Sequence, residues 1–322
     1  PAKEDQEMTA SVLVDGASGY LGLHLVQTLL QDGFQVRALV RPQSGQTDRE
    51  QLEILGAEVF VAPLAEEVSA AEALILDRAF AGADFAVHLI GSIAPGRQES
   101  FGSLHPQAAA VFAARAKQAA VKRAAIVTAL GASQTSRSLY LHSKAEAEEV
   151  VCSLLGPEMV AIFRPSLIIG RKVGRRDSKL VNRYRQLIRT RPLVPLINGG
   201  KNLLEPVFVG DLTQCITAAL KLPPAQGTGV FEIGGPNRVT MREFVEALAS
   251  SCAASVRFLN LPYAVARSLA HLSEKISDVP VLSVDQAYLA TMDNVTKENR
   301  LPSLMSGLPT DLQAALATYG SL

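Results

Sequence analysis

The sequence predicts an α/β fold, with a doubly wound parallel sheet and a smaller, mostly helical C-terminal lobe. Short apolar segments alternate with amphipathic segments of helical length between residues 11 and 164. A glycine-rich turn joins the first apolar segment to the first helical one, and helical patterns dominate from Met241 onward. Strands separated by helices of this length require right-handed crossovers, which build a parallel sheet with helices on both faces.

The individual elements follow from the apolar periodicity and from the residues that bound each segment. The expected strands are 11–14, 36–40, 58–61, 85–90, 124–128 and 160–164. The expected helices are 21–29, which Gly33 closes as a C-cap, followed by 51–55, 70–80, 106–120 and 139–155. Two later segments, 206–220 and 230–235, are expected to return to the sheet.

These elements divide the chain into a leader and two units. Residues 1–8 are polar, and we expect them to be a disordered leader or one added for expression. Residues 9–170 together with 206–235 are expected to form the sheet domain. Residues 171–205 together with 236–322 are expected to form the smaller lobe, which would hold the substrate.

Composition and charge exclude several classes of protein. Hydrophobic residues make up 48% of the chain and charged residues 19%, as is typical of a globular protein. The 31 basic and 31 acidic residues cancel, so the net charge gives no support to a nucleic-acid partner. The three cysteines and five histidines lack metal-ligand spacing, so we expect no metal site and a reducing, cytoplasmic location. No apolar stretch approaches the roughly 18 residues that span a bilayer.

The glycine-rich turn is the strongest indication of a ligand. It places Gly16, Gly19 and Gly22 between the first strand and the first helix. Glycines in this position allow a tight turn, close approach of the backbone to a pyrophosphate, and close packing of helix on strand. The helix N-terminus adds free N–H groups and the positive end of its dipole. The turn therefore predicts a dinucleotide cofactor, and the alternative is an ordinary strand-to-helix connection.

The end of the second strand indicates which dinucleotide is bound. An acid about 20 residues beyond the turn would bind the 2′-hydroxyl of NAD. The strand ends instead at Arg41, which suits the 2′-phosphate of NADP through charge-assisted hydrogen bonds. Arg37 is a second candidate, although its position within the strand favours a solvated or ion-paired role. We therefore expect NADP(H) as the preferred cofactor and NAD(H) as the alternative.

A phenol and an ammonium group follow the fifth strand. Tyr140 and Lys144 are four residues apart on a predicted helix and so share one face. A neighbouring ammonium lowers the pKa of a phenol, which could then exchange a proton with a carbonyl or an alcohol near neutral pH. The spacing is common in surface helices, and a coincidental surface pair is the alternative interpretation.

Taken together, the motifs resemble the short-chain dehydrogenase/reductase superfamily, in its extended or atypical branch related to the NAD-dependent epimerases and dehydratases. They occur in order: the glycine turn at 16–22, the segment 88–91, Tyr140 with Lys144, the segment 164–170, and the segment 209–211. Segments 38–41, 129–132 and 143–148, and less specifically 282–294, most resemble the subgroup that includes the NADPH-binding accessory subunit of respiratory complex I.

The resemblance implies a set of functional residues. Tyr140 would be the proton donor or acceptor, and Lys144 would hold the nicotinamide ribose. The implied cofactor contacts, the glycine turn included, are Gly16, Ser18, Gly19, Tyr20, Leu21, Gly22, Arg41, Leu89, Ile90, Gly91, Tyr140, Lys144 and Pro165.

The sequence departs from the family pattern at two strand ends. The family usually has a serine at the end of the fifth strand that binds the substrate carbonyl, and this chain has Thr128 there, with Ser133 farther on. We take Thr128 as the third catalytic candidate. The third strand ends in the segment 62–64, without the acid that commonly lies near the adenine. The first departure bears on catalysis and the second on a contact with the adenine.

A basic stretch follows the sixth strand. It carries nine lysines and arginines between residues 171 and 191 and a single acid, Asp177. Because ligands bind at the carboxyl edge of such sheets, we take Arg171, Arg175 and Arg176 as candidates for binding an anionic substrate. The stretch could instead dock on acidic lipid headgroups or on a protein partner, or form a solvated helical face.

Two histidines precede the predicted Tyr140 helix. His88 lies within the fourth strand and is expected to be a hydrogen-bonded core residue. His105 follows that strand's loop and is a candidate for lining the cofactor pocket.

Two functions from different classes fit these residues. We favour an NADP(H)-dependent oxidoreductase that acts on a small-molecule substrate, anionic or nucleotide-linked, as a monomer or a homodimer. Reduction of a ketone is the first choice, and epimerisation or dehydration through a transient ketone is the second. The alternative is a non-catalytic protein that holds NADPH as a structural or sensing element.

Overall fold

A computed structural model describes residues 9–91, 103–191, 193–276 and 282–320; the expected leader at 1–8 lies outside these ranges. The strands are β1 (Ser11–Asp15), β2 (Gln35–Val40), β3 (Glu58–Val61), β4 (Phe85–His88), β5 (Arg123–Val127), β6 (Val160–Pro165), β7 (Ile168–Ile169), β8 (Val194–Ile197), β9 (Leu203–Leu204), β10 (Val207–Phe208), β11 (Gly229–Ile233), β12 (Val239–Thr240) and β13 (Phe258–Leu261). The helices are α1 (Tyr20–Gln31), α2 (Gln46–Leu55), α3 (Ala70–Phe80), α4 (Ala108–Gln118), α5 (Leu139–Leu155), α6 (Lys179–Thr190), α7 (Val209–Lys221), α8 (Pro224–Gly227), α9 (Met241–Ser251), α10 (Tyr263–Ile276), α11 (Val284–Leu289), α12 (Leu301–Leu304) and α13 (Leu312–Ala317).

Seven parallel strands form the central sheet, in the order β11-β6-β5-β4-β1-β2-β3. Every residue of β1 and of β5 is buried, because helices cover both faces of the sheet. One apolar core includes Leu25 of α1 and Ile216 of α7, and the opposite core includes Phe80 of α3 and Phe112 of α4. The predicted doubly wound, Rossmann-type fold is therefore confirmed.

The order of the strands reverses between β1 and β4. From β1 the chain progresses outward through β2 and β3, then crosses back to β4 and continues outward in the other direction through β5 and β6. A crevice opens at such a reversal, beyond the carboxyl ends of the strands, and ligands bind there in doubly wound folds. The turn after β1 and the segment after β4 border this crevice.

Several element bounds differ from the prediction. The predicted strand 85–90 ends at His88, because the N–H groups of Leu89 and Ile90 donate to Asp15 Oδ1 at 2.8 and 3.2 Å. The predicted helix 106–120 begins with a π-helical turn, Ser103–Gln107, and its α-helical part is α4. The predicted helix 51–55 extends back to Gln46.

The C-terminal part of the chain packs around a separate apolar core. This core joins Val181 of α6, Val194 of β8, Phe244 of α9 and Leu316 of α13. Of the two segments expected to return to the sheet, only 230–235 does so, as the edge strand β11. Most of segment 206–220 is helix α7, which covers a face of the sheet instead of joining it.

Candidate functional site

The glycine turn after β1 is shaped by close backbone contacts. Gly16 has φ +61°, a conformation that favours glycine. A Cβ placed at Gly22 would lie 2.3 Å from the carbonyl oxygen of Gly16, so only glycine lets α1 approach the turn this closely. Gly19 is the N-cap of α1, and no side chain caps the helix. The first N–H groups of α1 are therefore available to an anion.

A buried acid joins this turn to the segment after β4. Asp15, fully buried at the end of β1, accepts the N–H groups of Leu89 and Ile90 and contacts His88 Nδ1 at 2.5 Å. His88 is thus a hydrogen-bonded core residue, as predicted. The contacts hold residues 89–91 beside the glycine turn, but sequence reasoning missed Asp15 because its partners lie more than 70 positions away.

The turn after β2 forms the other flank of the crevice. Ser44 N–H donates to the carbonyl oxygen of Arg41 at 2.9 Å, so Arg41 begins this turn, and the Arg41 side chain is exposed. The Oγ atoms of Ser18 and Ser44, both buried, lie 3.1 Å apart and join the two turns. Arg37 instead donates to the carbonyl oxygens of Arg78 and Ala79. Arg49 reaches the same turn as Arg41 and donates to the carbonyl oxygen of Pro42 at 2.7 Å.

Tyr140 and Lys144 come together with His105 and Gly91 at the crevice. Lys144 is 5% exposed, and its Nζ lies 3.5 Å from the carbonyl oxygen of Ile90. A Cβ at Gly91 would lie only 2.5 Å from that Nζ, so glycine leaves room for the ammonium. His105 contacts Ser143 Oγ at 2.8 Å and packs edge-on against the Tyr140 ring, with centroids 5.8 Å apart. His105 is fully buried beside Tyr140 and Lys144, and its role in lining a cofactor pocket stays a prediction.

The pKa values of this pair oppose one sequence-based prediction. Burial lowers the pKa of Lys144 to about 8, although the carboxylates of Asp15 and Glu148 partly counteract it. Burial, with a smaller effect from Asp285, raises the pKa of Tyr140 to about 12. The net shift is therefore opposite in direction to the lowered phenol pKa that the spacing of Tyr140 and Lys144 predicts. The phenol keeps its proton at neutral pH, which suits a proton donor.

An acid from the C-terminal lobe holds the start of the Tyr140 helix. Asp285 of α11 accepts the N–H of Leu139 at 2.9 Å and the hydroxyl of Ser138, the N-cap of α5, at 2.8 Å. An acid at a helix N-terminus also interacts favourably with the helix dipole. The sequence analysis noted segment 282–294 only because it resembles a known subgroup. No local signal predicted that Asp285 would contact the start of a helix so distant in sequence.

The third catalytic candidate takes part in an internal network. Thr128 is 5% exposed at the end of β5, and its hydroxyl donates to Glu148 Oε1 at 2.5 Å. Glu148 in turn pairs with Arg164, whose Nε donates to it at 2.9 Å. Ser133, the other possible replacement for the family serine, contacts the hydroxyl of Thr135 at 3.0 Å on an exposed loop. The hydroxyl proton of Thr128 is thus directed at Glu148.

The basic loop after β7 packs across the first two helices of the sheet domain. The carbonyl oxygen of Arg171 contacts His24 Nε2, and that of Val173 accepts from Gln51 Nε2, both at 2.9 Å. Arg175 Nη1 lies 3.3 Å from the position that a Cβ would take on Gly45, the N-cap of α2. Arg175 therefore lies near the turn after β2, whereas Tyr140 lies near β4 and β5.

The remaining predicted residues surround these groups. Tyr20 donates its hydroxyl to the carbonyl oxygen of Gly170 at 2.7 Å, and Pro165 accepts the N–H of Leu130 at 3.1 Å. Arg171 lines a cavity of about 260 Å³ with Lys172, Asp177, Arg185 and others, while Arg176 is exposed.

Among the described residues no group of three or more histidines, cysteines and acids could hold a metal ion. In the same ranges no helix is long and apolar enough to cross a membrane.

The chain is similar in sequence and in fold to several known proteins. Subunit 9 of the mitochondrial NADH dehydrogenase (ubiquinone) 1 alpha subcomplex of Arabidopsis thaliana is 29% identical over 315 residues, covering 92% of this chain and 76% of the relative. Ceramide reductase of Caulobacter vibrioides is 29% identical over 253 residues, covering 78% and 73%. The structure of Citrobacter sp. triphenylmethane reductase complexed with NADP(H) has a TM-score of 0.69 at 17% identity, covering 95% and 98%.

The family assignment rests on the length of the match. The profile of the NmrA-like family matches residues 8–300, which include the glycine turn, the Tyr140 helix and most of the C-terminal lobe. The predicted resemblance to the epimerase-like branch, and to the complex I subunit within it, is confirmed by the relatives. The chain belongs to the NmrA-like family.

Proposed function

We propose that the protein is an NADP(H)-dependent oxidoreductase that transfers a hydride between the nicotinamide and a carbonyl or alcohol carbon of a small molecule. The observation that carries the proposal is the cluster beside Gly91, in which Lys144 and His105 are buried and the half-buried Tyr140 packs its ring against His105. A phenol that keeps its proton and an ammonium sit together at the crevice where doubly wound folds bind ligands.

The residues present fit the dinucleotide. The uncapped N-terminus of α1 and the glycine turn offer N–H groups to the pyrophosphate. Arg41 would bind the 2′-phosphate, and among the described residues it has no ion-pair partner. NADP(H) is therefore preferred over NAD(H), and the bound nicotinamide would supply or accept the hydride.

The protein's own groups would handle the proton and the orientation of the reactants. With a pKa of about 12, Tyr140 is protonated at neutral pH and would donate its proton to the oxygen of a bound ketone. Lys144 would hold the ribose hydroxyls and stabilise negative charge that develops on that oxygen. Ser143 donates its hydroxyl to the carbonyl oxygen of Tyr140 at 2.9 Å, and its Oγ lies 2.8 Å from His105 Nδ1, which keeps this turn of α5 in place. This arrangement favours ketone reduction, and epimerisation remains the second choice.

For the substrate we propose a chemical class and no single compound. The relative named ceramide reductase supports a reductase. The cavity that Arg171, Lys172 and Arg185 line suits an anion, because three cations outnumber its one acid, Asp177, but it belongs to the loop that crosses α1 and α2 and not to the Tyr140 cluster. The rest of the stretch 171–191 remains a candidate for contact with a partner.

A second candidate function is a protein that holds NADPH without turnover. Two observations support it. The hydroxyl of Thr128, at the position of the family's carbonyl-binding serine, is directed at Glu148. The plant relative is named as a subunit of an assembly and not as a separate reductase. The intact Tyr140 and Lys144 pair opposes this alternative.

Turnover assays separate the two functions. Purified protein would be mixed with NADPH and with separate panels of ketones, quinones and nucleotide sugars. The ketones would include long-chain amide ketones, and absorbance of the reduced cofactor would be followed. We expect reduction of at least one class of ketone. Tight retention of NADPH with no oxidation on any member of the panel would favour the non-catalytic alternative.

Cofactor affinity should depend on the charge of Lys144. With a pKa of about 8, Lys144 is charged at pH 7 and mostly neutral at about pH 9.5, so its hydrogen bonds to the cofactor lose their charge as the pH rises. Hydrogen bonds to charged groups are worth about 1.5–3 kcal/mol, so we expect NADPH to bind about tenfold or more weakly at the higher pH. Titration calorimetry at both pH values would measure this difference.

The control for that experiment is the Lys144→Met variant. The methionine side chain is similar in length to that of lysine and carries no charge at any pH. It should bind NADPH weakly and show little dependence on pH over the same range. Equal wild-type affinities at the two pH values, or an unchanged pH dependence in Lys144→Met, would contradict the assignment.

A further inference from the structure

We propose that Arg175, from the loop after β7, is a second arginine for the 2′-phosphate, so that cations from two separate parts of the chain enclose the adenosine end of the cofactor. The inference rests on the proposed NADP(H) binding and adds a residue that determines cofactor selectivity. Arg175 is separated from Arg41, the residue expected from the strand pattern, by more than 130 positions.

The loop that carries Arg175 is held against the sheet domain from several sides. Its start is fixed by the contact of Arg171 with His24 and by the N–H of Arg171, which donates to Thr318 Oγ1 at 2.9 Å. Its middle is fixed by the hydrogen bond from Gln51 to Val173. Residues 171–176 therefore run across α1 and α2, and this path determines where Arg175 lies.

The guanidinium of Arg175 comes close to the backbone where α2 begins. The distance of 3.3 Å from Nη1 to a Cβ built on Gly45 is tight, so a side chain at position 45 would press against the guanidinium. No side chain caps α2 at Gly45. The preceding residue, Ser44, is buried and contacts Ser18 of the pyrophosphate turn. Arg175 thus lies beside the junction of the two turns that flank the cofactor crevice.

The charges at this junction favour an anion. Among the described residues, neither Arg41 nor Arg175 has an acid within ion-pair distance. Arg37, by contrast, is near Glu58 at 3.7 Å and is hydrogen-bonded to backbone. A phosphate monoester carries a charge of about −1.5 to −2 at neutral pH and accepts paired hydrogen bonds from guanidinium groups. Two unpaired arginines suit that charge better than one.

One acid at the same place opposes a phosphate. Asp48 lies buried in the first turn of α2, and its Oδ1 has no hydrogen-bond partner within the described ranges. A carboxylate here repels a phosphate and would accept a hydrogen bond from a ribose hydroxyl. Asp48 forms no ion pair with Arg41 or Arg175, so a second arginine strengthens the preference for the phosphorylated cofactor against this carboxylate.

The test compares NADPH with NADH, which differ in the 2′-phosphate. Dissociation constants for both would be measured by calorimetry on the full chain, for wild type, Arg175→Ala, Arg175→Lys and Arg41→Ala. We expect Arg175→Ala to bind NADPH about tenfold or more weakly and NADH within about twofold of wild type. Arg175→Lys should fall between, because an ammonium makes no paired contact.

Two further variants sharpen the comparison. Arg189→Ala removes the same charge from an exposed position on α6 and should change neither affinity. Asp48→Asn should lower the dissociation constant for NADPH more than that for NADH. Arg175 is exposed, so its variants are expected to fold, and equal melting temperatures would verify this.

The outcomes distinguish this inference from the proposed function. Wild-type protein that binds neither dinucleotide would overturn the proposed function and this inference with it. Wild-type protein that binds NADPH, with Arg175→Ala binding it equally well, would overturn the role of Arg175 alone. Equal losses for NADPH and NADH would also overturn it, because they would show a contact with a part that the two cofactors share.

Discussion

Replacing Tyr140 with phenylalanine is expected to lower kcat for ketone reduction by about 10²–10⁴-fold, the usual contribution of a positioned proton donor. The ring of Tyr140 packs against His105, so phenylalanine keeps the packing and removes only the hydroxyl. The affinity for NADPH should change little, since Lys144 and the glycine turn remain. Steady-state kinetics with the best ketone of the panel, together with NADPH titration, would measure both effects.

A matched control is available on α6. Tyr184 packs against the C-terminal core, away from the crevice, and Tyr184→Phe should leave kcat close to the wild-type value. A Tyr140→Phe variant with wild-type turnover would refute the role of the phenol. An equal loss in both variants would point to a general effect on folding instead of proton transfer.

Replacing Gly22 with alanine is expected to abolish measurable NADPH binding and to destabilise the fold. The added methyl group would lie 2.3 Å from the carbonyl oxygen of Gly16 and 2.7 Å from that of Ala17. Both contacts are with backbone, so the N-terminus of α1 must move away from the turn that would hold the pyrophosphate. Overpacking of this kind costs about 1–3 kcal/mol in the free energy of unfolding, which thermal denaturation would detect.

Gly307→Ala serves as the control for that substitution. A Cβ at Gly307 meets nothing within 4 Å, so the variant should keep both its melting temperature and its affinity for NADPH. If Gly22→Ala bound NADPH as tightly as wild type, the contact between α1 and the glycine turn would not be needed for the site.

Elements with local signals were predicted well. The predicted bounds of α3 match the structure, where Ser69 and Glu72 form a capping box at its start. The bounds of α5 also match, from the residue after its N-cap Ser138 to the residue before Gly156. The end of β4 was missed because Asp15, far away in sequence, takes the N–H groups that would have continued the strand.

The cluster around Tyr140 also combines features that local sequence predicted with features that it did not. Spacing alone predicted that Tyr140 and Lys144 share a helix face. It did not predict that burial would raise the pKa of the phenol to about 12, because burial depends on the elements that cover the helix. Nor did it indicate that Asp285 would reach the start of that helix, or that the hydroxyl of Thr128 would be directed at Glu148.

By itself, the sequence determined the alternation of strands and helices, the parallel sheet, the glycine turn and the helix that carries Tyr140 and Lys144. These features depend on periodicity and on residues close together in the chain. Only the tertiary structure decided that His105 packs against Tyr140, that Asp15 links β1 to β4 and that Arg175 lies beside Gly45. Each of these contacts joins segments that are distant in sequence, and only packing brings such segments together.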